Sequence, residues 1–254
     1  MTRILSVCLS ALLAVCATAN AGQPALTIAA ASDLRYALDD IAAQFRNANP
    51  DAQLRIIYGS SGKMTTQIIN GAPYDLFFSA DIAFPERLER EGLTATSPSV
   101  YALGRIVVWA PNEDEPPLTL GDLASDDVRR VAIAQPRHAP YGMRAREALK
   151  ASGVWEDVES KLVFGENIAQ TAQMVNSGGA DAGIIALSLA LFPSLEEHGH
   201  TLIDDELHEP LSQGFVITRR GADHPLSERF AEFMDSDEAL GIMAKYGFTR
   251  PEAD

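Results

Sequence analysis

Residues 26–45 read LTIAAASDLRYALDDIAAQF, an apolar strand-like run that passes without a break into an amphipathic helix. Leu34, Leu38, Ile41 and Phe45 recur at helical spacing and predict one buried face. Ser32 stands where an N-cap belongs, and Asn49-Pro50 predicts the stop. The same unit returns along the chain. QLRIIY (53–58) leads through YGSSGKM (58–64) to a helix starting near Gly62, and DLFFSAD (75–81) leads to a short helix around 85–92. RIVVWAP (105–111), VRRVAIAQP (128–136), AGIIALS (182–188) and GFVIT (214–218) read as further strands. MRAREALKA (143–151), IAQTAQMVNSG (168–178) and LSERFAEFMDS (226–236) read as helices. Strand and helix in alternation predict an α/β chain of mainly parallel sheets flanked by helices. No internal repeat or low-complexity tract interrupts it.

The first 21 residues read as an export signal. Arg3 supplies the positive start, ILSVCLSALLAVCA is too short for a stable span, and Ala19-Asn20-Ala21 fits the cleavage pattern. A lipid anchor at Cys16 is the weaker reading, since Val15 is large for that position. Cleavage would remove Cys8 and Cys16 together, leaving no thiol for a disulfide, a metal or a nucleophile. The expected compartment is the periplasm. The formal charge of −15 disfavours nucleic acid and anionic membrane as partners. About 230 residues remain, enough for one large domain or two lobes. NEDEPP (112–117) reads as a solvated loop, and no long linker divides the chain. Two lobes would therefore be joined by short crossings near Gly104 and Glu206, giving 22–104 plus 207–254 as one and 105–206 as the other.

Four junctions where a strand hands over to a helix share one character: AAASDL (29–34), YGSSGKM (58–64), RHAPYGM (137–143) and ENIAQT (166–171). A helix start leaves backbone N–H groups unpaired and concentrates partial positive charge. Small hydroxyl residues add donors and let the backbone approach closely. Singly, each is ordinary capping or turn chemistry. Together, at the carboxyl ends of strands from both halves of the chain, they predict convergence on one small oxyanion. Salt screens the overall negative field beyond roughly 8–10 Å. Charge-assisted bonds of ~1.5–3 kcal/mol each then decide the outcome locally.

AAASDL…ALDDIAAQF, GSSGKMTTQIINGAPYDLFFSAD, PRHAPYGMRAREAL and the terminal AKYGF together resemble the periplasmic molybdate-binding proteins of molybdate ABC transporters, over essentially the whole mature chain. The resemblance implies a two-lobed periplasmic binding protein of type II, closing around its ligand by a hinge movement. It implies capture of molybdate, with tungstate, and delivery to an ABC permease in the inner membrane, by a monomer without cofactor, resident metal or catalysis. It also implies the site. Ser32 and Ser61 would give hydroxyl and N–H donors, Asp33 an N–H, Tyr141 a main-chain donor with its phenol in reserve, and Ile168 an N–H at a helix start. Many members carry a tyrosine after the GI(I/V) strand. Here Ala186 stands there; either the Tyr141 phenol replaces the missing one from the neighbouring loop, or the site has one donor fewer. The Asp33 carboxylate is expected to point away from the anion, because a bare dianion needs donors only; facing the anion, it would make phosphate plausible.

Three rival readings are weighed against this one. Ser60-Ser61-Gly62-Lys63 contains the S-x-x-K of serine β-lactamases, but the companion S-D-N and K-T-G motifs are absent. His198-Gly199-His200 with Asp204, Asp205 and Glu206 offers metal ligands, although a solvated acidic turn is the commoner use of such residues. The nearest rival is a sulfate or phosphate receptor on the same fold, separated by cavity size. Tyr36, Trp109 and Trp155 read as packing residues.

Overall fold

The structure, a computed structural model, describes residues 24–111 and 116–250. The export-signal stretch 1–21 and most of the acidic loop lie outside the described residues. The strands are β1 (Leu26–Ala31), β2 (Leu54–Gly59), β3 (Leu76–Ser79), β4 (Ser99–Gly104), β5 (Ile106–Trp109), β6 (Val131–Ala134), β7 (Leu162–Gly165), β8 (Ala182–Ala186), β9 (His200–Leu202) and β10 (Leu211–Ile217). The helices are α1 (Arg35–Ala48), α2 (Ser61–Ile69), α3 (Ala83–Arg90), α4 (Pro140–Ala151), α5 (Trp155–Val158), α6 (Ile168–Asn176), α7 (Leu187–Ala190), α8 (Pro193–Glu196), α9 (Ser227–Phe233) and α10 (Asp237–Lys245).

Two five-stranded sheets form, in the orders β2-β1-β3-β10-β4 and β7-β6-β8-β5-β9. The chain leaves the first sheet at Gly104, enters the second at Ile106, and returns between Leu202 and Leu211. The sheets are mixed rather than mainly parallel. In the first, β1 pairs β2 and β3 in parallel, whereas β10 pairs β3 and β4 antiparallel. The second matches it, with β6 parallel to β7 and β8 and β5 antiparallel to β8 and β9. The antiparallel strands are those adjoining the crossings. A chain that enters a sheet from its neighbour arrives without a preceding crossover helix, so nothing forces parallel pairing.

Each sheet has its own core. Leu26, Ile28, Leu38, Ile41, Phe45 and Phe230 pack over one, and Ile106, Val108, Trp109, Ile133 and Ile184 over the other. The predicted face of α1 is buried as the spacing required: Leu38 and Ile41 are fully buried and Phe45 nearly so. The two bodies are closed on one another. Tyr36 of α1 stacks on Phe192, which follows α7, with centroids 3.6 Å apart, and Arg144 of α4 pairs with Asp81 after β3 at 3.2 Å.

Candidate anion-binding site

All four junctions meet. A small cavity of about 10 Å³ is lined by Ala31, Ser32 and Asp33 from the first, Gly59, Ser60 and Ser61 from the second, Ala139, Pro140 and Tyr141 from the third, Ile168 from the fourth, and Ala80. Every position singled out from sequence (Ser32, Asp33, Ser61, Tyr141 and Ile168) is on that wall. That space is far below the ~300 Å³ where organic-ligand pockets begin. A wider groove of about 440 Å³, bordered by Arg35, Tyr36 and Gln173, adjoins Ser32 and collects no comparable set of helix starts.

The hydroxyls are oriented by what they accept. Ser61 opens α2, and its Oγ accepts the N–H of Ala80 at 3.0 Å. Ser32 does not cap its own helix, as the sequence had suggested. It begins a short 3-10 turn, Ser32–Leu34, and its Oγ accepts the N–H of Ala169 across the cleft at 3.2 Å. Each oxygen thus has a lone pair engaged from behind, leaving its proton to donate elsewhere. The first turn of α6 is settled in the same manner. Asn167 Oδ1 takes the N–H of Gln170 at 2.9 Å and Ser32 takes that of Ala169, so Ile168 keeps its N–H for the cavity. At the start of α4, Gly142 and Met143 donate to Ala139 O, and the N–H of Tyr141 is the one left over.

Closure builds this wall directly. Gly62 N–H donates to His138 O at 2.9 Å, and Ser60 Oγ lies 3.0 Å from His138 Nδ1. Burial, with Lys63 and Arg137 nearby, holds the His138 pKa below its usual value. Lys63 pairs with Glu166 across the cleft mouth. The S-x-x-K pair is therefore divided: Ser60 is engaged with a histidine and Lys63 with a carboxylate. Among the described residues, no Lys or Arg lines the cavity. His198 packs edge-on against Trp109, and His200 lies in β9, away from this wall.

The side chains of Asp33 and Tyr141 meet in a buried cluster. The Tyr141 hydroxyl donates to Asp33 Oδ2 at 3.0 Å, so its proton is committed and it does not stand in for the phenol missing at Ala186. The Asp33 carboxylate belongs to the interior. It is 1 % exposed and receives a second bond, from Gln213 Nε2 at 2.6 Å, while Oδ1 has no hydrogen-bond partner. Burial lifts its pKa to about 6, against the lowering effect of the Gln213 and Tyr141 hydrogen bonds and of the nearby N–H groups of Asp33 and Leu34. Gln213 also donates to the Tyr141 oxygen at 3.0 Å and accepts from Tyr101 at 2.6 Å. This cluster sits beside Gly104, where a Cβ would come within 2.4 Å of the Tyr141 oxygen. Gln213 was missed in the sequence. A fully buried amide within the apolar strand LSQGFVI is the signal that could have found it.

Two mixed sheets closed over a cavity of converging helix starts define a clamshell receptor for a small anionic solute. The comparisons agree. The profile of the bacterial extracellular solute-binding proteins matches residues 26–249, and the chain belongs to that family. It is 34 % identical over 196 residues to the molybdate-binding protein ModA of Rhodobacter capsulatus, covering 75 % of each chain. It is also 34 % identical over 225 residues to ModA of Azotobacter vinelandii, covering 87 % of this chain and 88 % of that one. The solved periplasmic molybdate-binding protein of Azotobacter vinelandii superposes with a TM-score of 0.84 at 30 % identity, over 89 % of this chain and all of the other. The sulfate-binding protein SubI of Mycobacterium tuberculosis, at 13 % identity and a TM-score of 0.72, shares the fold.

Proposed function

We propose that this protein captures molybdate, and tungstate with it, between lobes 22–104 plus 207–254 and 105–206, and hands it to the permease of an ABC importer from the periplasm. The observation that carries this reading is the convergence of four helix starts on one small cavity without a cationic side chain. Hydroxyls of Ser32 and Ser61 and N–H groups of Asp33, Tyr141 and Ile168 meet a tetrahedral dianion with donors alone. Each bond is charge-assisted on the anion's side and contributes ~1.5–3 kcal/mol. The work is binding and release.

Calorimetric titration of the purified protein with molybdate, tungstate, sulfate and phosphate tests the reading. Molybdate and tungstate are expected to bind most tightly and to raise the melting temperature at micromolar concentration, through preferential binding to the folded state. A response to sulfate or phosphate with none to molybdate would reassign the ligand and leave the fold untouched. Ser61→Ala is expected to weaken molybdate binding by ~1–3 kcal/mol, because one anion oxygen and the Ala80 N–H both lose their partner. Unchanged affinity in that variant would place the ion elsewhere.

A further inference from the structure

Asp33 presents a difficulty that the donor set alone does not resolve. It lines the cavity, and a dianion held by its N–H would sit beside its own carboxylate, a like charge with almost no access to water. No countercharge relieves it. Neither α6 nor α7, both packed on the Ser32–Leu34 turn, carries a charged residue. Arg35 of α1 lies over the Tyr58 ring, and Arg144 of α4 is paired with Asp81 and Glu147. Tyr141 from α4 and Gln213 from β10 face the carboxylate as neutral donors, with Tyr101 from β4 behind Gln213, and Ser188 of α7 donates only to the main-chain carbonyl of Asp33.

We propose that capture of the dianion is coupled to the uptake of one proton, which goes to Oδ1 of Asp33. This rests on the oxyanion reading above and deepens it. The position of the proton follows from the hydrogen bonds: Oδ2 already accepts from two side-chain donors, whereas Oδ1 is buried without one, and only the N–H groups of Asp33 and Leu34 lie near the carboxylate besides. Protonation there leaves the Tyr141 and Gln213 bonds intact and removes the like charge from beside the anion. A carboxyl already lifted to about 6 by burial needs only the added field of the dianion to hold a proton at neutral pH. The bound state then carries more protons than the free one, so affinity rises as pH falls from the alkaline side toward 6 and levels off below it. The site would be a donor-only site when loaded, although its sequence contains an acid.

Molybdate titrations in buffers of different ionisation enthalpy count the protons. At pH 7.5 the expected uptake approaches one proton per anion, and it is smaller at pH 5.5, where more of the free protein already holds that proton. In Asp33→Asn, any anion that binds should take up none. Tyr141→Phe removes a donor that favours the ionised form, so uptake at pH 7.5 should fall below that of the unaltered protein. Tight binding with no uptake at either pH, or with proton release, overturns the coupling and spares the oxyanion reading. Uptake that persists in Asp33→Asn assigns the proton to another group, such as His138 beside Ser60, and also overturns it. Absence of heat with all four oxyanions overturns the oxyanion reading, and the coupling with it.

Discussion

Gly62→Val is expected to lower molybdate affinity by more than about 100-fold while leaving the ligand-free protein folded. Gly62 lies in the first turn of α2, and a Cβ there would meet His138 O at 2.8 Å and His138 Cα at 3.0 Å. Those atoms are main chain from the other lobe, so no side-chain rotation relieves the contact. The lobes must part instead. Parting costs the Gly62 N–H bond to His138 O and draws the N–H groups of Tyr141 and Ile168 away from the anion. Two charge-assisted bonds at ~1.5–3 kcal/mol each account for a loss of about 3 kcal/mol or more. Within its own lobe the residue is helical, where valine is no worse than glycine by intrinsic propensity. The melting temperature without ligand should therefore move by only about 2 °C. Calorimetry and thermal melting on the same preparation separate the two effects. Undiminished affinity would mean that the anion is held by one lobe alone.

This pairing of effects shows which parts of the site could be read from sequence. Local signals were sufficient where one element decides the outcome: the apolar face of α1, its stop at Asn49, and a small-residue turn before each of four helices. The convergence of those turns followed from a general rule about the carboxyl ends of strands. What escaped were features that depend on a partner far away in the chain. Ser32 looked like a cap because its neighbours are helical, but its acceptor role is filled by Ala169, 137 positions later. The phenol of Tyr141 looked available until Asp33, 108 positions earlier, and Gln213 were brought to it. Strand direction was misjudged for the same reason. β5 and β10 are as apolar as parallel core strands, and only the crossings at Gly104 and before Leu211 determine that they run the other way. β4, β7 and β9 were not predicted at all: all three are edge strands, and β7 keeps Phe164 about half exposed.

Gly142→Ala should destabilise the protein by at least ~3 kcal/mol, although alanine is the better helix former. The residue lies in the first turn of α4, directly over the end of β6. An added Cβ would stand 1.9 Å from Ala134 O and 2.6 Å from its carbonyl carbon. Helix propensity favours the substitution by about 1 kcal/mol. Against it stands a contact with the backbone of a fully buried central strand, hydrogen-bonded to β7 on one side and β8 on the other. Overpacking of this kind typically costs 1–3 kcal/mol where side chains can yield, and more where they cannot. The clash therefore outweighs the propensity gain, and α4 must lift from the sheet. Because Tyr141 is the adjacent residue, its N–H would move with the helix, so a fraction that still folds should also bind molybdate poorly. Urea unfolding of the ligand-free protein reads the first effect and titration reads the second. A variant as stable as the original, with unaltered affinity, would show that α4 does not rest on β6 at this point, and the main-chain donor assigned to Tyr141 would lose its support.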